Sequence, residues 1–192
     1  AFVILSYTIH NSSNETIKDI YTGLWMDASV ANMNYTNKNE PGGGFSWYDN
    51  LDGFDQSADD AGFTRDIAYQ YDADGDDGWA ESYIGVSFLG GTVPRPYVQS
   101  HYSQWPWNAS PSEYNHLTVP LNDDERYGKL IENDGNEITG GLYTNEGYPS
   151  VPNSWMYLFS AGPFGSVPAN EDSSVWELLP GDSCNVVMTI VC

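Results

Sequence analysis

Short apolar runs recur along the chain, and turn-forming Gly, Pro, Asn and Ser residues separate them. Runs of this length that are rich in Val, Ile, Tyr and Trp are typical of strands, and a regular series of them indicates an antiparallel sandwich. We therefore predict an all-β fold, a jelly-roll-like antiparallel β-sandwich of two sheets. The predicted strands are Phe2–His10, Ile17–Met26, Phe63–Tyr71, Glu81–Leu89, Tyr97–His101, Trp155–Ser160, Ser174–Leu179 and Asn185–Val191.

One segment, Asp123–Glu132, has a helical period instead. Tyr127, Leu130 and Ile131 are spaced to share one face of a helix, and Asn122 is a suitable N-cap. We predict one short helix there.

No internal repeat or linker divides the 192 residues, and the loop-rich stretch from Gly90 to Ser154 predicts long loops. We therefore expect a single domain, 1–192. The chain begins at Ala1 rather than Met, so we expect it to be the excised or mature part of a larger precursor.

The first strand is apolar on both faces over its first half, Phe2–Leu5. This pattern favours burial between two layers. A terminal apolar strand is also what β-strand addition to a neighbouring subunit uses. The sequence leaves both interpretations open.

The charge of the chain is very uneven, with 27 acidic and 6 basic side chains and a formal net charge of −21. Binding to nucleic acid or to an anionic membrane surface requires an excess of Lys and Arg. No stretch approaches the roughly 20 apolar residues of a spanning helix. We therefore predict neither nucleic-acid binding nor membrane insertion.

Ten of the acidic residues lie between Asp49 and Asp77. Crowded carboxylates repel one another unless a cation neutralises them, and ligands that are all oxygen favour calcium. The densest part, Asp72–Gly78, alternates carboxylates with small residues, and its glycines let the backbone curl round an ion. We predict calcium as the cofactor. The candidate ligands are Asp72, Asp74, Asp76, Asp77, Asp27, Asp59 and Asp60.

This loop departs from the EF-hand pattern, because Asp77 replaces the turn glycine and Tyr83 replaces the bidentate glutamate. A site in a sandwich loop therefore fits better than an EF-hand. The alternative is that these residues form solvated turns on an acidic surface.

The two cysteines, Cys184 and Cys192, fall in one predicted strand. Eight residues of straight strand span roughly 26 Å, well beyond the reach of a disulfide. We predict that they do not pair with each other. They are then buried thiols that pack as small hydrophobic residues, or Cys192 forms an intermolecular bond.

Five segments together resemble a module of large secreted bacterial surface proteins, which often carry a type IX secretion sorting domain. The segments are Phe2–Asn11, Ile20–Asp27, Ile67–Asp72, Ser160–Phe164 and Leu179–Ser183. The resemblance implies an extracellular or surface-attached β-sandwich without a known catalytic role. The sequence does not contain the sorting domain itself, which agrees with an origin in a larger precursor.

The sequence contains no Gly-x-Ser-x-Gly elbow, no His-Glu-x-x-His motif and no phosphate-binding loop with its lysine. We therefore predict a protein that is not an enzyme. The enzymatic alternative is a glycoside hydrolase, with Glu146 and Glu81 as candidate acids.

An aromatic stretch offers a candidate for sugar or protein contact, with Tyr102, Trp105 and Trp107 as its ligand-binding residues. The alternative is that these rings pack over the end of the sandwich or form a subunit interface.

Together these patterns predict a non-enzymatic extracellular structural or adhesive module, stabilised by calcium. We expect it to self-associate or to join other surface proteins, as a subunit of a fibre or similar assembly. The alternative is a carbohydrate-binding module or a glycoside hydrolase-like jelly roll that binds a glycan.

Overall fold

The computed structural model describes residues 1–30, 49–58, 64–75, 80–107, 119–131, 152–170 and 175–192. The elements in chain order are β1 (Phe2–His10), β2 (Ile17–Lys18), β3 (Ile20–Met26), β4 (Asn50–Ala58), β5 (Thr64–Asp72), β6 (Tyr83–Gly91), β7 (Gln99–Pro106), α1 (Asp123–Ile131), β8 (Trp155–Phe164), β9 (Val167–Pro168), β10 (Trp176–Leu178) and β11 (Ser183–Val191). The strands form a five-stranded sheet in the order β1-β11-β6-β5-β4 and two three-stranded sheets, β3-β8-β7 and β2-β10-β9.

The hydrophobic core lies between the five-stranded sheet and the β3-β8-β7 sheet. Phe54 on β4 stacks on Tyr102 on β7 with ring centroids 5.3 Å apart. Tyr157 on β8 donates a hydrogen bond to the carbonyl of Ala68 on β5. The predicted all-β sandwich is confirmed.

Helix α1 packs on the opposite face of the β3-β8-β7 sheet. The Ser103 hydroxyl on β7 donates to the carbonyl of Lys129, at 2.8 Å, and the Ser160 hydroxyl on β8 donates to that of Leu130, at 2.6 Å. The helix begins as predicted, because the Asn122 side-chain oxygen accepts the backbone N–H of Glu125 at 2.9 Å. The β3-β8-β7 sheet is therefore covered on both faces, by the core on one side and by α1 on the other.

The strands differ most from the prediction in two regions. The run Ile17–Met26 is divided into β2 and β3, because Asp19 has a φ of 51° and breaks the extended chain between them. Strand β4 was missed altogether. Its Asp and Gly residues are depleted in strands, and its acidic side chains pointed to a loop.

The predicted burial of β1 between two layers is wrong. The strand lies at the edge of the five-stranded sheet and pairs with β11. Phe2 is 70% exposed, and Val3 and Ile4 are more than half exposed. The two ends of the chain lie together, since the amino group of Ala1 donates to the carbonyl of Cys192 at 2.6 Å.

Within the described ranges, none of the helical segments has the length and apolar character that crossing a membrane would require.

Candidate functional site

Four polar side chains face inward where β4 and β5 run side by side. Asn50 pairs with Asp72, and Asp52 pairs with Gln70. Since side chains two residues apart on a strand share a face, all four point into the sandwich, and all four are buried. We call these four residues the inner polar cluster.

Hydrogen bonds tie the inner polar cluster to two other parts of the molecule. The Gln70 side-chain nitrogen donates to Asp52 Oδ1 and to the carbonyl of Trp155 on β8, both at 2.6 Å. Asp72 Oδ1 accepts the backbone N–H groups of Asp74 and Gly75. The cluster thus links the two sheets of the sandwich and holds the start of the Asp-rich loop.

Several oxygens of this cluster lack hydrogen-bond donors. Within the described part of the chain, Asp52 Oδ2, Asn50 Oδ1 and Gln70 Oε1 are buried and accept no hydrogen bond. Burial raises the pKa of the Asp52 carboxyl well above its usual range. The hydrogen bond from Gln70 opposes that shift, and the negative charge of Asp27 adds to it. The cluster is therefore rich in acceptors and poor in positive charge.

The predicted calcium ligands separate into three groups. Asp72 belongs to the inner polar cluster, and Asp27 follows β3 and acts electrostatically on Asp52. Asp74 is exposed. The remaining four, Asp59, Asp60, Asp76 and Asp77, lie outside the described residues.

Among the residues that the structure describes, no three His, Cys, Asp or Glu side chains are grouped closely enough to hold a metal by themselves. Sequence reasoning missed Asn50, Asp52 and Gln70. The signal was present, because Asn50 and Asp52, like Gln70 and Asp72, are polar pairs at the period of a strand.

Two of the three residues of the predicted aromatic binding site are buried, which favours the alternative that their rings pack within the fold. Tyr102 is fully buried against Phe54, and Trp105 is buried on the face that α1 covers, with Lys129 Nζ 5.4 Å from its ring centroid. Both rings are core because successive residues of β7 face two covered sides. Trp107 follows the strand and is 62% exposed.

The candidate acids of the glycoside hydrolase alternative do not form a described pair. Glu81 is exposed just before β6, and Glu146 lies outside the described residues.

An exposed aromatic groove lies on the outer face of the five-stranded sheet. Its cavity volume is about 770 Å³, and its described lining is Asp55, Ile67, Tyr69, Tyr71, Tyr83, Gly85, Val191 and Cys192. The rings of Tyr71 and Tyr83 stack at 4.9 Å between centroids, and that of Tyr69 lies 5.8 Å from Tyr83. We call this the tyrosine groove.

Gly53 leaves space for the ring of Tyr69 in the tyrosine groove. A Cβ atom on Gly53 would lie 2.5 Å from the ring of Tyr69. The ring therefore lies over the backbone of β4, in a position that any larger residue at Gly53 would obstruct.

The two cysteines do not pair with each other, as predicted: Cys184 is buried in the core and Cys192 is exposed. Burial raises the pKa of the Cys184 thiol, which makes it less reactive.

No protein-family model matches the chain, and no curated protein is similar to it.

Proposed function

We propose that this chain is a non-enzymatic structural or adhesive module that acts outside the cell, is stabilised by calcium, and self-associates through β1. The observation that carries this proposal is the position of β1, an apolar strand at the edge of the five-stranded sheet. The extracellular location is supported by the resemblance to secreted bacterial surface modules.

An exposed edge strand is a template for pairing, because one row of its N–H and C=O groups has no partner strand. Proteins that must stay apart usually protect such edges with lysine, proline or a bulge. Residues Phe2–His10 contain neither lysine nor proline, and the nine pairs of β1 with β11 show no register shift. Among the described residues, the edge of β1 therefore has no lysine, proline or bulge to protect it.

The occupant that we propose for this edge is β1 of a second copy. Residues Phe2–Ile9 carry no charged side chain, so two copies can pair there without bringing like charges together, although each molecule carries −21 overall. An antiparallel pair of β1 strands would form a two-fold interface. Each Val, Ile or Phe side chain that becomes fully buried contributes roughly 1.5–3 kcal/mol.

The test compares wild type with Ile4→Lys by sedimentation velocity in physiological salt and calcium. We expect wild type to form dimers or larger species and Ile4→Lys to be monomeric, because a lysine on each copy would bring two charges into the interface. The matched control is Leu89→Lys, since Leu89 is half exposed on β6 of the same sheet, away from the edge. Monomeric wild type, or equal loss of association in both variants, contradicts the proposal.

A second candidate function is saccharide binding in the tyrosine groove. Tyrosine rings offer flat apolar faces with hydroxyl edges, and Tyr83 is 53% exposed. Asp55 supplies a carboxylate that accepts hydrogen bonds from sugar hydroxyls, and the described lining includes no Lys, Arg or His. This combination favours a neutral saccharide. It favours binding over hydrolysis, because Asp55 is the only acidic side chain in that lining and hydrolysis typically uses two.

A glycan array followed by calorimetry tests this second function. We expect Tyr69→Ala and Tyr83→Ala to lose at least tenfold in affinity for any neutral glycan that wild type binds. Tyr7→Ala, at a partly exposed tyrosine of β1, is the control. Wild type that binds no glycan, or binding that survives both groove substitutions, removes this candidate.

A further inference from the structure

We propose that the buried side-chain oxygens of Asn50, Asp52 and Gln70 in the inner polar cluster form an internal binding site for a hard divalent cation, calcium in preference to magnesium. This site deepens the calcium stabilisation proposed above and is independent of association through β1.

The argument begins with Asp52, which is fully buried. Its Oδ1 atom accepts the hydrogen bond from Gln70, and its Oδ2 atom accepts none within the described part of the chain. A buried carboxylate that remains ionised without a compensating charge is costly by several kcal/mol. A proton or a bound cation on Asp52 would remove this cost.

Its charged surroundings favour a cation. Asp27, which follows β3 in the opposite sheet, is a second negative group that acts on Asp52. Two of the described cationic side chains are engaged elsewhere, since Arg95 pairs with Asp66 at 2.8 Å and Lys18 pairs with Glu177 at 2.6 Å. A proton on Asp52 would neutralise one of the two carboxylates, whereas a divalent cation neutralises both.

The other atoms of the inner polar cluster that lack a donor among the described residues are oxygens as well. Asn50 and Gln70 are almost completely buried, and their side-chain oxygens accept no hydrogen bond from any described residue. The orientation of the Gln70 amide is fixed by its contacts, because Asp52 Oδ1 and the Trp155 carbonyl are both acceptors and must face its nitrogen. The Gln70 oxygen is thereby left for a different ligand.

Carboxylate and amide oxygens are the ligands that calcium prefers, and it accepts six to eight of them in flexible geometry. Magnesium requires a nearly ideal octahedron and keeps several waters, which a buried site makes costly. The cluster also joins separate elements. Asn50 and Asp52 lie on β4 and Gln70 lies on β5. A cation held there would fasten β4 to β5 next to the hydrogen bond by which Gln70 reaches Trp155 on β8.

The test is the melting temperature of chelator-treated protein as calcium or magnesium is added. With calcium at a hundredfold excess over Kd, we expect a saturable rise of roughly 5–10 °C and a smaller rise with magnesium. Asp52→Asn keeps the shape of the side chain but removes its charge. We expect this variant to melt higher than wild type without calcium and to lose the calcium response.

The matched control is Asp55→Asn, the same substitution on the exposed face of the same strand, which should keep the full response. Terbium luminescence gives a second measurement, because Trp155 lies beside the cluster and would sensitise a bound lanthanide that calcium displaces. A wild type without a calcium response, or an undiminished response in Asp52→Asn, overturns the proposal. Either result is independent of the oligomeric state, so it is distinguishable from a failure of the association through β1.

Discussion

Strands β1 and β8 have similar apolar sequences and opposite environments. In β8 every residue except Leu158 is buried, whereas no residue of β1 is. The difference follows from position, because β8 lies between β3 and β7 with the core on one face and α1 on the other. Strand β1 has β11 on one side and forms the edge. An apolar run thus predicts a strand, but neighbouring elements decide whether it is core or surface.

The largest effect that this comparison predicts is at Phe159 on β8. Phe159 is fully buried between Leu24 and Tyr102, its partners on β3 and β7. Phe159→Ala should lower the free energy of unfolding by about 3–5 kcal/mol, because it removes a large buried ring and leaves a cavity. Urea denaturation measures this loss. A loss below about 1 kcal/mol would show that β8 is not a core strand.

An intermediate effect, dependent on pH, is expected at His101 on β7, the partner of Ser160 on β8. His101 is buried beside Tyr21, and neither ring nitrogen has a hydrogen-bond partner among the described residues. Burial lowers its pKa from the ordinary value of 6.5. The unfolded chain therefore takes up a proton first as the pH falls, and the stability that neutral His101 contributes above pH 6.5 is lost at lower pH.

The measurement for this prediction is the free energy of unfolding of wild type and His101→Phe at pH 7.5 and pH 5.5. We expect wild type to lose more stability than the variant between these two values. His10→Phe, at an exposed histidine on β1, is the control for removing a histidine. Equal losses in wild type and His101→Phe would exclude His101 as a source of the pH dependence.

The smallest effect is expected at Ile4 on β1. Because Ile4 is 55% exposed, Ile4→Ala should change the free energy of unfolding of the monomer by less than about 1 kcal/mol. Denaturation at low protein concentration, where association is minimal, measures this change. A loss as large as that of Phe159→Ala would mean that β1 is covered in the monomer.

The sequence predicted local structure well. The limits of β1 and the start of α1 agree with the prediction, because an apolar run and an N-cap are properties of adjacent residues. The burial of β1 was predicted wrongly, and the sequence left open whether Tyr102 and Trp105 bind a ligand or pack within the fold. The burial of a side chain depends on elements that pack against it, such as α1 and strands far away in the chain. The local sequence pattern does not show which elements these are.

Only part of the candidate cation site could be predicted, because its residues also come together through contacts between strands. Asp72 was identified from the acidic composition of its segment. Asn50, Asp52 and Gln70 were not, because β4 was not recognised as a strand and its inward-facing side was therefore unknown. That Asp52 Oδ2 has no hydrogen-bond donor among the described residues depends on the arrangement of both sheets, which the sequence does not give.

The meeting of the two chain ends has a mechanical consequence. Ala1 and Cys192 adjoin at one end of the β1-β11 ladder, so tension applied through these two residues would pull the strands apart sideways. The hydrogen bonds of the nine residue pairs in the ladder would then break one pair at a time, starting at that end. They would not share the load, as they do when the two strands are sheared. A module loaded in this way yields at low force. A load carried along the strands, parallel to β1, would be borne by many hydrogen bonds at once.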